Sequence, residues 1–151
     1  MALSHPAIDI PNLLFRYAEL LDGGDLDAAA ALFDHGAIIT MGERIEGREK
    51  IAGRWRQWMR LYDGRPRTRH IMTNPIIELA KDGASATCRS QYTVLQAVDG
   101  FPLQPVITGR YRDRLAVIDG AWRFIEREYA EVDLIGDLSA HLLQPLDGKS
   151  E

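Results

Sequence analysis

A single cysteine, Cys88, leaves this chain without the means for an internal disulfide, a cysteine-based zinc site or a Cys-x-x-Cys redox pair. Its small thiol suits a buried strand position instead. Positive charge is also in short supply: 18 Lys and Arg stand against 22 Asp and Glu, for a formal charge of -4. Without a broad electropositive field to release counterions, neither nucleic acid nor an anionic membrane is expected as a partner. There is no run of about 18 apolar residues, and no basic stretch leads into an apolar one near Met1. A soluble, cytoplasmic protein is therefore expected. No metal and no cofactor are expected either, because His5, His35 and His141 lack companions at ligand spacing and read as exposed residues near the terminus, a helix end and the tail.

What remains is enough for one core. With 46% hydrophobic and 26% charged residues among 151, the chain reads as a single domain over 1–151, with 136–151 as a C-terminal tail that crosses a pocket mouth or a neighbouring subunit. Leu14, Tyr17, Ala18 and Leu21 recur at helical spacing after Asp9, a plausible cap, and Asp22-Gly23-Gly24 ends that helix. Asp25 opens a second helix carrying Leu26, Ala29, Ala30 and Phe33 until Gly36. A third, from about Arg48 to Tyr62, presents Ile51, Trp55, Trp58, Met59 and Tyr62 as one stripe.

The period then changes. Asp82-Gly83, Asp99-Gly100 and Asp119-Gly120 separate β-branched stretches and predict four long antiparallel strands: about 67–79, 84–98, 103–117 and 121–133. A short strand over 37–41 precedes the third helix. The expected class is α+β, with a curved sheet wrapping the helices and leaving a pocket between them.

The candidate chemistry is sparse and specific. His70 stands in Thr68-Arg-His-Ile-Met-Thr-Asn74, and Asp22 ends the apolar stretch of the first helix. An imidazole in an apolar strand, with a carboxylate from a neighbouring helix end, is the minimum apparatus for taking a proton from a bound molecule. Tyr17, Tyr92 and Tyr111 are candidate donors to a substrate oxygen, and Trp55, Trp58, Met59 and Met72 are core residues able to shape a pocket. The alternating Arg110, Arg112 and Arg114 share one strand face, which suits a polar subunit interface.

Phe15-Arg-Tyr-Ala18, Asp22-Gly-Gly-Asp25, Leu32-Phe33, Gly47, His70, Gly109-Arg-Tyr111 and Asp119-Gly-Ala-Trp-Arg-Phe124, in that order, resemble the SnoaL-like branch of the nuclear transport factor 2-like superfamily. That resemblance implies a cone-shaped α+β fold: three N-terminal helices packed on a strongly curved, mixed but mostly antiparallel sheet around a deep apolar pocket. It also implies a homo-oligomer, dimer or trimer, formed through the outer sheet face.

Within the superfamily, Asp22 and His70 are similar in placement to the dyad of scytalone dehydratase and hexachlorocyclohexane dehydrochlorinase, which eliminate a leaving group without a cofactor. The resemblance thus implies His70 as general base, Asp22 as its partner and Arg127 as a cation balancing the leaving anion. Leu21 stands where scytalone dehydratase has a tyrosine before its Asp, and Gly109 and Tyr111 fall near its Ser/Asn pair. The leading expectation is a cofactor-independent dehydratase-like lyase, or an isomerase, acting on a small apolar cyclic substrate. The alternatives are a non-catalytic small (beta) subunit of a ring-hydroxylating dioxygenase and a binding protein for a hydrophobic metabolite.

Overall fold

Ile10, Leu14, Tyr17, Ala18 and Leu21 form the buried face of a helix, α1, that runs over Pro6–Gly23 in the computed structural model, which describes residues 4–146. The helix starts earlier than Asp9: Pro6 occupies the first turn, where its missing N–H costs nothing, and Asp9 accepts from the His5 N–H at 2.9 Å. Asp25 caps α2 (Leu26–Ala31) by accepting from the Ala28 N–H at 3.0 Å.

The third helix, α3 (Arg48–Trp58), is shorter than its apolar stripe suggests. Met59 turns extended and pairs with Leu142, and the chain then reverses between Tyr62 and Arg65, with Asp63 and Gly64 both at positive φ. Asp63-Gly64 is a fourth turn dipeptide of the kind that marks the hairpins, and it removes Tyr62 from the helix.

Six strands make one sheet: β1 (Ala37–Thr40), β2 (Glu43–Glu46), β3 (Thr68–Leu79), β4 (Ser85–Val98), β5 (Phe101–Ile118) and β6 (Ala121–Ile135). Their order is β2-β1-β6-β5-β4-β3, antiparallel except for the parallel pair β1–β6. The fold is α+β, with three helices against a mixed, open sheet. Strand β2 went unread because its turn, Met41-Gly42, takes positive φ at both residues without the Asn or Asp that usually signals it.

Alternation along β4 puts Ala86, Cys88, Ser90, Tyr92, Val94 and Gln96 on the inner face, against the helices. The register slips at Thr73/Ile76, Val94/Leu95, Thr108/Gly109 and Arg114/Leu115, and such bulges bend strands and tighten their twist. The last of these bulges decides the site. Arg114 pairs with Glu126 and Leu115 with Phe124, so Ile125 is the extra residue, and beyond it Arg127 and Tyr129 turn inward in place of Glu126 and Glu128.

On the outer face Arg110, Arg112 and Arg114 are each matched within the chain. Arg110 meets Asp133 at 3.0 Å, Arg112 meets Glu131 at 3.0 Å and Arg114 meets Glu126 at 3.3 Å. The tail begins after Ile135, and its residues 147–151 lie outside those described. Among the described residues no helix is long and apolar enough to cross a membrane.

Candidate active site

Asp22 closes the last turn of α1, and the chain leaves that helix through Gly24, in the left-handed region at φ 81°. A Cβ at Gly24 would collide with the backbone of Gly64, so the turn after α1 seats directly on the Asp63-Gly64 reversal that leads into β3. This seating brings the Asp22 carboxylate to Thr68 and His70. Oδ2 accepts from the His70 backbone N–H at 2.7 Å, and Oδ1 accepts from the Thr68 hydroxyl at 2.8 Å and lies 2.6 Å from His70 Nδ1.

Both carboxylate oxygens are thereby engaged, and both side chains are largely enclosed, at 8% exposure for His70 and 13% for Asp22. Burial works to raise the Asp22 carboxyl, but hydrogen bonds and charge from His70, with help from Thr68, hold it below the ordinary carboxylate value. An ionised carboxylate only accepts, so the Nδ1 facing it carries a proton and the neutral ring keeps its lone pair on Nε2.

His70 forms part of a wall. One side faces an open groove between α1 and the start of β3, which holds Asp22, Arg16, Arg67 and Met72. The other faces a largely apolar chamber of about 350 Å³ between α3, the tail and the inner sheet. Asp22 does not line the chamber, so a molecule held there meets the imidazole and not the carboxylate.

Tyr17, Trp55, Trp58, Met59, Tyr92 and Tyr111 line the chamber together with His70. Met72 does not; two residues along β3 from His70, it faces the open groove. Gly109 leaves space for Tyr92, because a Cβ there would strike the Tyr92 hydroxyl. Tyr92 in turn stacks on Tyr111 with centroids 4.5 Å apart.

Arg127 does not reach the chamber either. Its guanidinium grips Asp113 through Nε–Oδ1 and Nη2–Oδ2 contacts of 2.8 Å each, with both side chains at 0% exposure. It lies against the rings of Tyr17 at 4.3 Å and Tyr111 at 4.1 Å, behind the chamber wall. Burial alone would lower its pKa, but Asp113 raises it beyond the ordinary arginine value. A charge so matched and enclosed holds the aromatic floor and is not available to a leaving anion.

Two aromatic chamber residues escaped the sequence reading. Tyr129 accepts from Trp55 Nε1 at 3.0 Å and shares a 2.7 Å hydrogen bond with the Tyr17 hydroxyl. The pair has two hydroxyl protons and uses one between them. The Tyr111 hydroxyl lies near enough to Tyr17 to share the other. Burial raises both Tyr17 and Tyr129 well above the ordinary phenol value, so each stays protonated as a donor. Only the bulge at Ile125 turns Tyr129 inward, and nothing in the local sequence marks that bulge.

His141, expected to be exposed, is the second: it lines the chamber at 8% exposure. Among the described residues no cluster of three or more His, Cys, Asp or Glu is arranged to hold a metal ion.

A family model, the SnoaL-like domain, matches residues 8–128. The chain belongs to the SnoaL-like family. Solved structures share its fold. A Mycobacterium tuberculosis protein of unknown function is 28% identical with a TM-score of 0.69, over 84% of this chain and 71% of that one. A Nostoc punctiforme protein of unknown function with a cystatin-like fold is 25% identical with a TM-score of 0.69, over 88% and 96%. A Novosphingobium aromaticivorans protein provisionally described as a scytalone dehydratase is 21% identical with a TM-score of 0.68, over 93% of each chain, which shows a shared fold. No curated protein matches this SnoaL-like chain.

Proposed function

We propose that this SnoaL-like protein is a cofactor-independent lyase that eliminates water, or a comparable leaving group, from a small apolar cyclic substrate. The observation that carries the reading is the 2.6 Å contact between His70 Nδ1 and Asp22, made by an imidazole that forms part of the chamber wall.

Nε2 of His70 takes a proton from the carbon next to a carbonyl. The released electron pair is held as the enolate and then forms the C=C bond as the C–O bond of the adjacent carbon breaks, and the departing hydroxide takes the proton back from the His70 imidazolium and leaves as water. Asp22 fixes the tautomer that keeps Nε2 free and stabilises the imidazolium that forms. Help from the base is typically worth about 10² to 10⁴ in rate, and orientation in a water-poor chamber supplies the rest.

Isomerisation would use the same proton abstraction without a leaving group, so the substrate decides between the two. The fold neighbour provisionally described as a scytalone dehydratase is consistent with elimination. The experiment is to offer the protein a panel of cyclic β-hydroxyketones and follow enone or phenol formation by ultraviolet absorbance. Water loss that depends on His70 supports the reading, and a panel left untouched by the wild-type protein counts against it.

A further inference from the structure

The segment after β6 is not a loose tail where it passes the chamber. The Ala140 carbonyl accepts from Gln96 Nε2 at 2.9 Å and from the Tyr62 hydroxyl at 2.7 Å. The His141 carbonyl accepts from the Arg60 N–H at 2.9 Å, and the Leu143 N–H donates to Trp58 at 2.8 Å. Backbone hydrogen bonds on both sides of His141 therefore fix the main chain that brings its ring to the chamber wall. The ring centroid lies 6.5 Å from that of His70, with the planes at 70°.

Nδ1 of His141 is sealed from solvent and has no partner among the described residues. A sealed nitrogen without a partner is tolerated better as a bare acceptor than as an orphaned N–H, so the ring proton belongs on Nε2. Burial, reinforced by the nearby His70 and opposed by Asp22, lowers the His141 pKa to about 4, and the ring is neutral near pH 7.

We propose that His141 donates its Nε2–H to a carbonyl or hydroxyl oxygen of the ligand held in the chamber. The proposal rests on the reading of His70 as the base in that same chamber, and it divides the work between two imidazoles. His70, tied to Asp22, accepts a proton; His141, with no carboxylate of its own, offers a hydrogen bond. A donor fixed by the backbone needs no reorganisation as charge builds on the substrate oxygen. The ligand class narrows to cyclic molecules that place an oxygen within reach of His141 while an acidic carbon faces His70.

Binding of 1-tetralone and tetralin, which share a bicyclic skeleton and differ by the carbonyl oxygen, tests this by calorimetry on the wild-type protein, His141→Phe and His141→Gln. The wild type should favour the ketone by about 3- to 10-fold, the range of one net hydrogen bond. His141→Phe should lose that preference while still binding tetralin, and His141→Gln, which keeps an N–H, should retain part of it. His70→Ala should keep the preference while losing turnover, which separates failure of this proposal from failure of the base assignment.

A preference that survives in His141→Phe, an equal loss of both ligands, or a wild type without preference overturns the proposal. Nitrogen-15 NMR of the wild-type imidazoles gives a check that needs no variant. An Nε2–H on His141 whose proton resonance moves with 1-tetralone but not with tetralin is the expected result, and an Nδ1–H tautomer overturns it.

Discussion

His70 Nδ1 sits 2.6 Å from Asp22 Oδ1 although 48 residues separate them in the chain, and the same carboxylate also holds the His70 backbone N–H at 2.7 Å. One acid thus fixes both the ring and the strand that carries it. The arrangement orients a base without exposing the acid to the chamber.

Asp22→Asn is therefore expected to act on the chemistry more than on binding. The amide can donate to Nδ1, favouring the tautomer that places the proton on Nε2 and removes the lone pair from the chamber. Once a substrate is in hand, kcat should fall by about 10² to 10⁴ with KM nearly unchanged. A protein that only binds a hydrophobic metabolite would show no such split.

Arg127 and Asp113 should behave as a structural pair. Removing either partner, as in Asp113→Asn or Arg127→Met, leaves a fully buried charge unmatched and should destabilise the fold by about 3–5 kcal/mol in denaturant unfolding. Replacing both with apolar residues should recover part of that loss. Equal stability of the single variants would return Arg127 to the list of groups free to meet substrate.

Gly24→Ala should uncouple the dyad from a distance. The site requires positive φ, and the added methyl would meet the Gly64 backbone, so at least about 1 kcal/mol of stability should be lost. Because that contact seats Asp22 against β3, the variant's His70 imidazole resonances should shift as well. Wild-type stability and unshifted resonances would show that the turn has no part in positioning the acid.

Acid should weaken the fold through His141. In the unfolded chain a histidine takes its proton near pH 6.5, whereas the folded His141 does so only near about 4. Between those values the unfolded state holds more protons, so stability falls as pH is lowered, by up to about 1.4 kcal/mol per unit. Asp22, depressed below 3.8 when folded, adds loss of the same sign at still lower pH. The other titrating groups acting on the His141 ring are His70 and Asp22, and both remain in His141→Phe. The Tm of that variant should accordingly depend less on pH than wild type between 6.5 and 4. Parallel curves would refute the assignment.

Much of this architecture was legible because strands and helices announce themselves by period. The Asp-Gly dipeptides bound β3 to β6 to within a few residues, and the α1 stripe appears in full among the buried residues. Asp22 and His70 could be read together only through the family pattern, since nothing local links a helix end to a strand 48 residues away. What escaped did so for identifiable reasons. Tyr129 depends on the bulge at Ile125, which reverses the inward parity of β6 and leaves no compositional mark. His141 looked like part of a polar tail, and its burial depends on tertiary hydrogen bonds from Gln96, Tyr62 and Arg60. Arg127 carried the cation expected for a leaving group, but its matching acid, Asp113, lies across the strand pair and claims it.

The most direct test of the central claim is loss of water from cyclic β-hydroxyketones in deuterium oxide, with mass spectrometry of both product and recovered substrate, for the wild type and a folded His70→Ala variant. Dehydration by the wild type is expected, accompanied by exchange at the carbon next to the carbonyl, with a fall of about 10² to 10⁴ when the imidazole is removed. Equal rates in the two proteins, or neither elimination nor exchange by the wild type, would contradict it.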